Sequence, residues 1–146
     1  MTTAFSPQDA LIAVMVATSA ADESMSTTEL MSISRIVDAL PAFEGYDRDR
    51  IRAVSQTVFD LFEEEDGIDA LIGLVSDALP DGFNETAYAL ACDVAAADGT
   101  VRMSELRLLE MLRHDLRVGR LAAAAIERGA RARHLRLPES TAPAES

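Results

Sequence analysis

Two acidic turns, set 76 residues apart, carry the side chains in this chain best suited to chemistry. In "CDVAAADGTVRMSEL", residues 92–106, Asp93 lies one turn before a helix end, Asp98 sits in the turn and Glu105 stands just inside the next helix. Three carboxylates so arranged offer hard oxygen ligands, which suit Ca²⁺, Mg²⁺ or Mn²⁺ rather than Zn²⁺. The spacing is not that of an EF-hand, which needs denser acids ahead of its closing Glu.

The pattern has an upstream echo. "SAADESMSTTEL" at 19–30 aligns with "AAADGTVRMSEL" at 95–106, so Asp22 matches Asp98, Glu29 matches Glu105 and Leu30 matches Leu106. This is a duplicated unit of helix, acidic turn and helix. The copies are unequal: Ala17 stands where the second copy has Asp93, and Glu23 where it has Gly99. A glycine tolerates the left-handed backbone of a tight Asp-Gly turn, so the second turn is the cleaner candidate.

The same acids admit a purely structural account. Asp98 at a helix C-terminus faces the negative end of the macrodipole and needs a local compensation, which an Asx-turn to the next amides supplies. Glu29 and Glu105 favour the positive start of the following helix, and Ser26 with Glu29 forms a capping-box pattern flanked by Met25 and Leu30. Spacing alone leaves both accounts open.

Other chemistry finds little support. The only histidines, His114 and His134, lie in Arg-rich helical surroundings away from Cys92, and there is no P-loop or Rossmann fingerprint. A single cysteine excludes an internal disulfide or a thiolate metal cage, and among alanines on an apolar helix it reads as a packed thiol. The expectation is a protein that is not an enzyme and uses no organic cofactor.

The elements that must hold these turns are helical. Ser6 N-caps a first helix with Pro7 at its first position and Asp9 at its third, followed by an almost wholly apolar run. A second amphipathic helix runs to Pro41, and a third follows a cap at Asp47 with Ile51, Val54 and Val58 on one face. Further helices are expected at about 68–79, 82–97, 102–116 and 119–134. No segment alternates with period two. The sequence thus predicts an all-α, compact bundle of about seven helices, one domain over 1–137, with a disordered tail at 138–146.

Composition and charge narrow the partners. The chain has 146 residues, a formal net charge of −12 and no lysine, so every basic side chain is Arg. Such a surface repels phosphate backbones, which excludes nucleic acid as the main ligand. The charge is uneven: residues 1–101 hold 4 Arg against 19 acids, and residues 102–137 hold 9 Arg against 4. The acidic part suits a basic partner, and the Arg-rich end an acidic protein or an anionic membrane surface. The first apolar run is too short to span a bilayer and lacks a basic leader, so a cytoplasmic location is expected.

The stretches "YALACDVAAADGTVRMSELRLLEML", "VMVATSAADESMSTTELMSIS" and "LIGLVSDALP" resemble the tellurite-resistance TerB family, whose domain also occurs in the amino-terminal region of certain J-domain co-chaperones. The resemblance covers about residues 8–130. It implies an all-helical stress-response protein acting through partners, with acidic residues that bind metal. Carried onto this chain, those residues are Asp93, Asp98 and Glu105, with Asp22 and Glu29 as the echo. The J-domain tripeptide "HPD" is absent, so co-chaperone activity is not implied.

Overall fold

A computed structural model describes residues 5–21, 27–97 and 103–138. It contains seven α-helices among the described residues and no strand: α1 (Pro7–Ser19), α2 (Thr27–Ala39), α3 (Arg50–Phe62), α4 (Gly67–Ala78), α5 (Phe83–Ala96), α6 (Met103–Asp115) and α7 (Arg120–Arg133). The all-α bundle expected from the sequence is what forms. Helix ends fall within a residue or two of the sequence expectation for the last four helices. The residues assigned to a tail lie, from 139 onward, outside the described residues.

The repeat is a property of the fold as well as of the letters. Pro7 and Phe83, which open α1 and α5, stand 76 residues apart, as do Thr27 and Met103 opening α2 and α6, and Ala39 and Asp115 closing them. Two helix pairs of matching register therefore make up four of the seven helices described. The copies occupy different environments. Every residue of α1 from Asp9 to Ser19 is buried, as befits a helix apolar all round. It packs against α2, α3, α4, α5 and α6 and forms the axis of the core. Its counterpart α5 lies alongside it and carries α6 and α7 on its other flanks. Small side chains at Ala10, Ala13, Ala87 and Ala91, none with any exposure, let the two central helices approach closely.

Local chemistry sets the boundaries. Ser6 Oγ accepts from the Asp9 amide at 3.0 Å, and the Asp9 carboxylate accepts from the Ser6 amide at 3.1 Å, a complete capping box behind Pro7. Pro41 ends α2 and opens a short 3₁₀ helix, Pro41–Phe43, which the sequence analysis did not anticipate. It inserts Phe43 into the core, edge-on to Tyr46 with ring centroids 5.9 Å apart. The cap of α3 expected at Asp47 falls instead at Asp49, which makes no side-chain cap hydrogen bond; Asp47 accepts from the Asp49 amide at 3.0 Å in the turn that precedes the helix. Gly67 opens α4 where a Cβ would lie 1.6 Å from the Leu61 carbonyl oxygen, so the α3–α4 corner closes only around a residue without a side chain.

Candidate functional site

Glu29 and Glu105 are the third residues of α2 and α6, and each is only 1% exposed. Their sequence context marks them as first-turn acids but not as buried ones. Two carboxylates, repeated at one register and equally withdrawn from water, are the main feature that the duplication carries into three dimensions. The helix start favours negative charge there, through its partial positive charge and its amides. Their partners in the acidic turns, Asp22 and Asp98, lie outside the described residues, as does Ser26 of the expected capping box.

Asp93 is described, and it faces α7. Its Oδ1 accepts from Arg133 Nη2 at 2.6 Å and lies 3.3 Å from His134 Nε2. Both contacts fall on one oxygen, and together they strap the last turn of α5 to the last turn of α7. Among the described residues no group of three or more His, Cys, Asp or Glu side chains converges. At the end of α1, Ser19 Oγ is buried and makes no hydrogen bond among the described residues.

A second polar centre was not foreseen. Asp9, 1% exposed, accepts from Arg50 Nε at 3.0 Å on one oxygen and from Arg50 Nη2 on the other, and Tyr46 Oη donates to it at 3.1 Å. Burial alone would raise the Asp9 carboxyl; the hydrogen bonds from Arg50, Ser6 and Tyr46, with the Arg50 charge, outweigh it and hold the group below the usual range. The same contact pushes the Tyr46 hydroxyl up, through burial first and then the Asp9 charge. The sequence signal was an acid at the third position after the Ser6 cap, which gives no sign of the fork with a residue 41 positions away. The copy-two counterpart, Glu85, is exposed, so this centre is not part of the repeat.

A concavity of about 630 Å³ opens between α5, α6 and α7. Tyr88 Oη donates to Glu127 Oε2 at 2.6 Å on its wall, bridging α5 and α7. Cys92 lies beside them, 5% exposed, and burial pushes its thiol up to about 12. The packed thiol expected from the sequence is what the fold provides. No helix among the described residues is long and apolar enough to cross a membrane.

Comparison of the chain with family models, with curated proteins and with solved structures yields no match.

Proposed function

We propose that this chain is a TerB-like stress-response protein that works in the cytoplasm without catalysing a reaction, binding a hard divalent cation at its second acidic turn and acting through protein partners. The observation that carries this reading is the burial of Glu105 and its repeat-mate Glu29 at the same register of α6 and α2. A carboxylate withdrawn from water needs opposing charge or donors to stay ionised. The helix start favours such a charge, and Ca²⁺, Mg²⁺ or Mn²⁺ held between Glu105 and Asp98 would be a further stabilising charge there. The donor set fits such an ion, being carboxylate throughout, and the turn sequence Asp98-Gly99 allows a tight bend around it. Asp93 would contribute through Oδ2, the oxygen that Arg133 and His134 leave alone. In the first copy the candidate ligands would be Asp22 and Glu29.

A second reading is favoured by the Asp93–Arg133 strap, which already gives Asp93 a cationic partner. In that reading the turns are caps, and the protein is a metal-free scaffold that meets proteins or a membrane surface through its acidic face and Arg-rich α7. Calorimetric titration of chelator-stripped protein with Ca²⁺, Mg²⁺ and Mn²⁺, with Asp98→Asn and Asp22→Asn in parallel, separates the two. Saturable micromolar binding lost in Asp98→Asn supports the cation site; no heat from any ion, with both variants folded, sinks it.

A further inference from the structure

The two copies of the repeat differ in how many helices cover their central helix. Among the described residues α1 packs against α2, α3, α4, α5 and α6, whereas α5 packs against α1, α2, α6 and α7. α6 and α7 both rest on α5 but scarcely touch each other, and the 630 Å³ groove is the space between them. The difference reaches individual side chains. Ile33 and Ala20 in the first copy are 2% and 4% exposed, while their counterparts Leu109 and Ala96 are half-buried and open onto the groove. Leu106 and Leu135, 45% and 73% exposed, extend this apolar lining to its rim.

Charge specifies what fits there. Arg113 and Arg120 stand at one end of the groove and Arg131 with His134 at the other, and none of the three arginines is in an ion pair among the described residues. Glu110 and Glu127 line the stretch between, with Glu127 held by Tyr88. From Arg120 to Arg131 α7 rises about 16 Å, the length of three helical turns.

We propose that this groove seats one amphipathic helix of a partner protein, about three turns long, apolar on the face toward α5 and acidic toward both ends. The helix would cover Leu109 and Ala96, and its charge is opposite to the arginines that this otherwise acidic chain places along the groove. The groove meets the second acidic region only through His134, which also contacts Asp93, and its other lining residues do not depend on a bound cation.

The test uses a fluorescein-labelled helical peptide of about 15 residues, with Leu and Ala on one face and Glu in its first and last turns. Fluorescence polarisation is read on the full chain, on Arg113→Glu/Arg120→Glu, and on Ala124→Trp, which fills the groove from an exposed position. Circular dichroism verifies that each variant is folded. Saturable binding weakened roughly tenfold or more by both variants, and by exchanging the peptide's Glu for Lys, supports the proposal. Absence of binding, or binding that ignores the variants, overturns it. So does a dimer of the chain that Ala124→Trp dissociates, which would assign the groove to a second copy. Dodecanoate binding that the variants abolish while the peptide fails would instead make it a small-anion site.

Discussion

Arg50→Met removes the guanidinium from Asp9 while keeping most of the aliphatic stem. Asp9 is 1% exposed, and in the variant only the Ser6 amide and the Tyr46 hydroxyl remain to solvate its charge. Breaking a fully buried pair from one side typically costs 3–5 kcal/mol; because the Arg50 side chain is half exposed, the cost here scales down to about 2 kcal/mol. For a domain of this size that lowers Tm by about 4–8 °C. The sign with pH follows from the depressed Asp9 carboxyl. In the native chain its contribution is present above the unfolded carboxylate range and lost as pH falls through the folded value. Removing Arg50 raises that carboxyl, so the variant loses most at neutral pH and the gap to the parent narrows in acid. Urea unfolding of both proteins at several pH values between 7 and 4 measures the gap, and taking the difference cancels the other carboxylates. A gap below about 0.5 kcal/mol at pH 7, or one that does not shrink on acidification, would refute the assignment of Asp9–Arg50 as a buried electrostatic staple.

Gly67→Ala should lower the melting temperature well beyond the usual cost of a glycine-to-alanine change in a helix, because the new methyl meets the Leu61 carbonyl at 1.6 Å; a neutral or stabilising result would show that the α3–α4 corner can open freely. Leu11→Ala, at a residue 1% exposed on the core axis, should cost about 2–5 kcal/mol in urea unfolding with an unchanged m-value. Cys92 should resist Ellman's reagent at pH 8 in the folded protein and react at once in urea, as expected for a buried thiol pushed up to about 12.

The helices were legible because each carries its own punctuation: Ser6-Pro7 opens α1, Pro41 stops α2, Pro80 stands between α4 and α5, and apolar stripes of helical period fill the spans. The 76-residue repeat was legible for the same reason, and the helix boundaries reproduce it. What sequence could not supply were relations between distant side chains. Asp9 shows its capping partner three residues away and gives no sign of Arg50 or Tyr46. Glu29 and Glu105 look like ordinary first-turn acids, since burial depends on which neighbours close over a helix start. The groove depends on α6 and α7 diverging over α5, and helical periodicity within each of them is silent about the angle between them.

Asp93 is where the two accounts of the acidic turns make opposite demands. The repeat sets Asp93 against Ala17, which is 2% exposed in the core, so this acid is an elaboration of the second copy alone. As a strap it joins α5 to Arg133, a side chain 56% exposed, and an ion pair that open to water is worth about 0.5–1 kcal/mol. As a ligand it would matter far more to the cation than to the fold. Asp93→Ala should therefore destabilise the apo protein by no more than about 1 kcal/mol while weakening cation binding roughly tenfold or more. A titration identical to the parent's, beside the same small loss of stability, would reduce Asp93 to the strap and leave Asp98 and Glu105 as the only acids of the second turn able to hold an ion.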